Sequence, residues 1–173
     1  MKSWSHSNRG KTLELYIDHA NAMYHQRGQA IVIRQHPEVK VTRVDGKRIL
    51  SGFYKEKGAP DYIGLIDQLP VCFDAKETNS KTSFPLKNIK AHQIKYLSEW
   101  DKQGGMSFLI IYFSALKEVY LFPYKALQTS LNEAAVSGVK SIPYKVIQEW
   151  GHLIKSGDKI TLDWLSTAWE ARE

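Results

Sequence analysis

Asp61-Tyr62-Ile63-Gly64-Leu65-Ile66-Asp67-Gln68-Leu69-Pro70-Val71-Cys72-Phe73-Asp74-Ala75-Lys76 is the stretch that decides the architecture of this chain. Val71 to Lys76 alternates as a strand, so Val71, Phe73 and Ala75 share one face and Cys72, Asp74 and Lys76 the other. Asp61 to Ile66 reads as the preceding strand, with Asp67-Gln68-Leu69-Pro70 as the turn. Folded about the Asp67/Gln68 midpoint, this hairpin sets Asp61 opposite Asp74. Two carboxylates facing each other across a ladder, roughly 5 Å apart at Cβ, repel and destabilise the sheet. A bound cation removes that repulsion; without one, a carboxylate takes up a proton more readily.

The 173 residues suffice for one domain with a substantial core. A hydrophobic fraction of 43% and an aromatic fraction of 12% exclude a disordered tail. No apolar run approaches a transmembrane helix, and Met1-Lys2-Ser3-Trp4-Ser5 lacks a signal peptide's apolar segment. The single cysteine, Cys72, has no partner for an internal disulfide, so a cytoplasmic location away from membranes is expected. The net charge of +6, with pI near 9.3, favours a polyanionic partner. Arg34, Lys40, Arg43, Lys47, Arg48, Lys55 and Lys57 stand against only Glu38, Asp45 and Glu56 in one stretch. A second group, Lys76, Lys81, Lys87, Lys90 and Lys95, follows the second aspartate. Taken alone, a charge run is usually a solvated face. Flanking Pro60-Asp61 and Asp74-Ala75-Lys76, these runs suit a phosphate backbone, where each neutralised phosphate releases counterions. An acid, a hairpin-length gap and then acid-x-Lys is how many nucleases hold a divalent metal beside a scissile phosphate.

Elsewhere, Leu13, Ile17, Ala20 and Tyr24 recur at helical spacing from the Ser7-Asn8-Arg9-Gly10 start to about Gln26. Glu14 flanks that stripe on the side shared with Asp18 and Asn21. Ala30 to Gln35 reads as a buried strand, and Asp45-Gly46 marks a hairpin between Val39–Val44 and Lys47–Leu50. Asn88 to Lys102 reads as a helix ending at Gly104-Gly105, burying Ile89, Ile94, Leu97 and Trp100. Met106 to Phe113 is a continuous apolar run, the mark of a central strand, with Val119 to Phe122 as its neighbour. Short helices follow near Tyr124–Asn132, near Tyr144–Trp150 and after Asp163. The pattern predicts α/β with a mixed central sheet in one domain, residues 1–173.

Phe73-Asp74-Ala75-Lys76-Glu77-Thr78, then Lys81-Thr82-Ser83-Phe84-Pro85-Leu86, Asn88-Ile89 and His92-Gln93, closely resembles the RecU family of Holliday-junction resolvases. Asn8-Arg9-Gly10 with Leu13-Glu14, then Asn21 and Tyr24, resembles the family's opening helix. The resemblance is clear over about residues 7–130 and looser beyond. It implies a restriction-endonuclease-like PD-(D/E)xK core and a homodimer using Mg²⁺, with Mn²⁺ able to substitute. The implied reaction is paired symmetric nicking of a four-way DNA junction in recombination and repair. By position, Asp61 and Asp74 match metal-binding carboxylates, Lys76 a transition-state-stabilising lysine, and Gln93 a further metal-site residue. Glu14 is a weaker candidate, an acid that related nucleases supply from the first helix.

Expected DNA contacts are Arg9, Lys11, Lys81, Lys87 and Lys90, with Lys40, Arg43, Lys47 and Arg48 on a short basic stalk at about residues 39–53. Residues 1–8, with Trp4 and His6, are expected to form a flexible arm. The sequence departs from the family at Ala59-Pro60, where the family usually has threonines just before its first acid, and at Asp74, where it has Glu. The stalk is also shorter, as in a compact, phage-encoded member. Two other readings stay open: another PD-(D/E)xK DNA nuclease, or a catalytically silent protein that binds junctions or modulates a recombinase.

Overall fold

The computed structural model describes residues 9–36, 38–54 and 59–172, with side chains of the first helix from residue 12. Helix α1 (Arg9–Gln26) leads into β1 (Ala30–Arg34), then β2 (Val39–Asp45), β3 (Arg48–Tyr54), β4 (Tyr62–Ile66) and β5 (Leu69–Thr78). Strand β6 (Ser83–Pro85) and a 3-10 turn (Leu86–Asn88) precede α2 (Ala91–Lys102). Next come β7 (Met106–Phe113), β8 (Glu118–Pro123), α3 (Tyr124–Ser137) and β9 (Ser141–Pro143). α4 (Tyr144–Trp150), β10 (His152–Leu153) and α5 (Trp164–Glu170) follow.

Six strands form the central sheet in the order β1-β4-β5-β7-β8-β10. Only β5 and β7 run parallel, joined by a crossover through α2; the other pairs are antiparallel. The mixed α/β architecture read from the sequence is therefore the one observed. Alternation along β5 sorts the two cores. Val71 and Phe73 face the cluster formed with Leu13, Ile17, Ala20 and Tyr24 of α1 and Trp164 of α5. Cys72 faces the other cluster, with Leu97 of α2, Leu127 of α3 and Ile147 of α4. Phe73 is the centre of the first core, stacked between Tyr62 and Phe108 at 4.8 Å each and tilted against Trp164 at 5.0 Å. Each such buried side chain contributes about 1.5–3 kcal/mol of transfer free energy.

Several boundaries differ from the sequence reading. The turn between β4 and β5 is only Asp67-Gln68, both at positive φ (48° and 66°), as a two-residue type I′ turn requires. Leu69 and Pro70 belong to β5, paired with Ile66 and Leu65. Strand β1 is only partly buried, through Ala30 and Val32. It lies at the sheet edge, and Ile31 and Ile33 project into solvent. Gly64 pairs with Val32 because it lacks a side chain; a Cβ there would lie 2.1 Å from the Ile31 carbonyl oxygen. Helix α2 begins at Ala91, since residues 86–88 form the 3-10 turn and Ile89 is extended. α3 runs on to Ser137, stopped by Gly138 at φ 75°. The stalk is a separate two-stranded sheet, β2 with β3, exposed at every residue and turning at Gly46-Lys47.

Candidate active site

The β4–β5 register pairs Tyr62 with Phe73, which carries Asp61 to the position facing Asp74. Backbone and side chain interlock there. The Asp61 amide donates to Asp74 Oδ1 at 3.3 Å, and the Ala75 amide donates to Asp61 Oδ2 at 3.1 Å. The Gln35 amide donates to the Asp61 carbonyl at 2.8 Å, fixing that end of β4 against the chain leaving β1. Lys76, two residues beyond Asp74 on the same face, places Nζ 3.8 Å from Asp61 Oδ2 and 3.7 Å from Asp74 Oδ1. Its side chain is only 12% exposed, so the cation is held largely out of water between two anions.

Asp74 is wholly buried, and its Oδ2 accepts no hydrogen bond. Burial raises the carboxyl pKa most; Lys76 opposes this and Asp61 adds to it, leaving the value pushed up from 3.8 to about 7. The like-charge conflict legible in the sequence therefore exists in the fold, dominated by desolvation more than by repulsion. An orphaned buried carboxylate oxygen beside a half-exposed second carboxylate is an oxygen-rich donor set suited to a hard divalent cation. Among the described residues, no third His, Cys, Asp or Glu joins these two in a metal-binding group.

Gln93 reaches this pair from α2. Its Nε2 donates to Asp74 Oδ1 at 2.7 Å, while its Oε1 accepts from the Lys90 amide at 3.0 Å. The side chain thus caps its own helix and holds the buried carboxylate. Its oxygen faces the helix start, and its amide nitrogen faces Asp74. Glu14 is occupied elsewhere: with Asp18, one turn on, it pairs with Arg34 of β1. Tyr62, buried beneath α1, donates to Asp18 Oδ1 at 2.9 Å, and burial followed by that bond keeps the phenol protonated. This Glu14-Asp18-Arg34-Tyr62 network seats α1 on β1 and β4 next to Asp61. The likeness to related nucleases singled out Glu14, and the sequence reading missed Arg34, because only the α1–β1 packing brings Arg34 within reach.

Lys81, Lys87 and Lys90 are exposed on the segment between β5 and α2, and Lys90 is tied through Gln93 to Asp74. Lys40, Arg43, Lys47 and Arg48 are exposed on the stalk, Lys40 lying 5.9 Å above the Phe53 ring. The side chains of Arg9 and Lys11 and the arm over residues 1–8 lie outside the described residues. Cys72 is buried, and burial raises its thiol pKa, so it is a packing residue. No described helix is long and apolar enough to cross a membrane.

A family model, RecU (Recombination protein U), matches residues 8–169. The chain is 37% identical over 166 residues to the Holliday junction resolvase RecU of Geobacillus thermodenitrificans, across 93% of this chain and 83% of that one. It is 35% identical over 165 residues to the Holliday junction resolvase RecU of Oenococcus oeni, across 92% and 84%. Among solved structures, the Holliday junction resolvase Hjc of Archaeoglobus fulgidus aligns over 79% of this chain and 92% of its own, with 11% identity and a TM-score of 0.45.

Proposed function

The chain belongs to the RecU family, and we propose that it is a divalent-metal-dependent endodeoxyribonuclease that resolves four-way DNA junctions by paired nicks. The observation that carries this reading is the Asp61–Asp74 pair facing across β4 and β5, with the Lys76 ammonium within 4 Å of both. Asp61 and Asp74 hold the cation, Mg²⁺ or Mn²⁺, and Gln93 supports them from α2. When bound, the cation supplies positive charge to the scissile phosphate and acidity to a water. Lys76 holds its charge where the phosphate oxygens develop negative charge, in a site that excludes most water. Gln93 keeps Asp74 from rotating, and the Ala75 amide does the same for Asp61.

Lys81, Lys87 and Lys90 bind the backbone beside the cut, and Arg9 and Lys11 extend that contact. Lys40, Arg43, Lys47 and Arg48 carry the stalk into the junction. Recognition is then by shape and charge, with phosphate contacts setting position. Two opposed nicks require two sites, which a homodimer with a two-fold axis supplies. Glu14 serves α1 packing through Arg34 before any role near the metal. Work on cellular DNA implies the cytoplasm, and a recombinase is a candidate partner.

The test is nicking of a mobile four-way junction against linear duplex and flap DNA, with Mg²⁺ or Mn²⁺ added. Paired nicks in the junction and little cutting of the others are expected. Cutting confined to linear duplex identifies a different nuclease. Tight junction binding with no nicks in either metal identifies a silent binding protein.

A further inference from the structure

Strands β6 and β9 pair as a short two-stranded sheet, Ser83 with Pro143, Phe84 with Ile142 and Pro85 with Ser141. Phe84 and Ile142 turn inward and are buried in the core shared with α2, α3 and α4. The chain segments flanking this pair stay outside, and they bring together lysines from two distant parts of the sequence. The Lys140 carbonyl accepts from the Leu86 amide at 3.0 Å, which sets Lys140 beside the turn carrying Lys87. The Tyr144 amide donates to the Thr82 carbonyl at 2.8 Å, which sets Lys145 beside the segment carrying Lys81. All four lysines are exposed, and among the described residues none of them pairs with a carboxylate. Glu118, the acid at the start of β8, is occupied, since the hydroxyls of Tyr120 and Tyr144 both donate to it. Gathered cations without protein anions repel one another, and a polyanion removes that repulsion.

We propose that Lys140 and Lys145 complete a four-lysine ledge, with Lys81 and Lys87, that binds the phosphate backbone of the duplex arm running away from the cut. From β6 the chain passes through the 3-10 turn to Lys90, whose amide meets the Gln93 side chain that holds Asp74. The ledge therefore continues outward from the paired acids. β6 and β9 pair over three residues, or about 10 Å, which matches about three phosphates of one DNA strand rising about 3.4 Å each. An added protein strand does not suit the place. Pro85 and Pro143 remove amide donors from it, as in edges guarded against strand addition. The ledge rests on the resolvase reading for its substrate and differs from the stalk in what it decides. Phosphate contacts along a single arm carry no information about the branch, so the ledge sets affinity and position and leaves junction preference to the stalk.

Fluorescence anisotropy with a four-way junction and with linear duplex, in a chelator over a range of salt, tests the ledge. The double variant Lys140→Ala, Lys145→Ala is expected to weaken both complexes about tenfold or more at about 0.1 M salt, and to lower the slope of log affinity against log salt by about 2. The ratio of junction to duplex affinity is expected to stay as in wild type. Lys155→Ala, Lys159→Ala removes the same charge from exposed positions beside Ile154 and Ile160, which pack on the opposite face of the sheet, and is expected to leave the slope unchanged. An unchanged slope in the Lys140/Lys145 variant, or an equal loss in the Lys155/Lys159 variant, overturns the proposal. If the first variant does not fold by circular dichroism, amine-reactive labelling of wild type decides. Junction DNA must then shield Lys140 and Lys145 while Lys155 stays reactive, and unshielded Lys140 and Lys145 overturn the ledge. Wild type that binds neither DNA overturns both the ledge and the resolvase reading. Binding that needs Lys140 and Lys145, with no nicks in Mg²⁺ or Mn²⁺, defeats the nuclease and leaves the ledge standing. Paired nicking by wild type, with undiminished binding by the Lys140/Lys145 variant, does the reverse.

Discussion

Asp74→Asn replaces a carboxylate that the fold keeps wholly out of water with a neutral side chain of the same shape. The asparagine oxygen still accepts from Gln93 Nε2 and the Asp61 amide, and its amide takes the place of Oδ2, which has no hydrogen-bond partner to lose. In the metal-free protein, Asp74 titrates at about 7, against 3.8 for the ordinary group. Between those values the folded state holds a proton that the unfolded chain has released, so stability falls as pH rises through this window and levels off above it. The interval corresponds to a penalty on the order of 4 kcal/mol in the absence of metal. Asp74→Asn escapes it and is expected to melt about 10 °C above wild type in a chelator at about pH 8. The gap should narrow at about pH 5, and added Mg²⁺ should stabilise wild type alone. The assay is thermal and urea unfolding of both proteins across that pH range. An asparagine variant no more stable than wild type at about pH 8, or a gap independent of pH, refutes the reasoning.

Lys76→Ala should lower the nicking rate by about 10²–10³ while junction binding measured by mobility shift is retained, since one preorganised charge is removed from the site. Gln93→Leu removes both the Lys90 cap and the Asp74 hydrogen bond, and urea unfolding should show a loss of about 1–3 kcal/mol. Gly64→Ala forces a methyl group into the Ile31 carbonyl; it should open the β1–β4 pairing, seen as accelerated hydrogen exchange along β1. Deleting Val39 to Leu50 should reduce the preference for junctions over linear duplex in competition binding, with the melting temperature of the core nearly unchanged.

The facing of Asp61 and Asp74 was legible from folding the hairpin about the Asp67/Gln68 midpoint, which fixes the register even though the turn itself was read as four residues. The burial of Leu13, Ile17, Ala20 and Tyr24 was legible from their helical period of 3.6. Pro70 misled the reading of the turn, since proline is rare inside a strand; here it is the second residue of β5, paired with Leu65. Ala30-Ile31-Val32-Ile33 looks like a buried run, and nothing local reveals that a sheet edge leaves Ile31 and Ile33 uncovered. The position of Gln93 was legible only through family resemblance. Its two hydrogen bonds depend on where α2 starts, which the sequence placed three residues early. Arg34 was read as one charge in a basic stretch, whereas tertiary packing commits it to Glu14 and Asp18.

The paired acids and their lysine are tested most directly by measuring binding and nicking of one labelled four-way junction by wild type, Asp74→Ala and Lys76→Ala, with Mg²⁺ present. Comparable binding by all three proteins, with paired nicks from wild type alone, is the predicted result. Paired nicks from Asp74→Ala at the wild-type rate contradict the site.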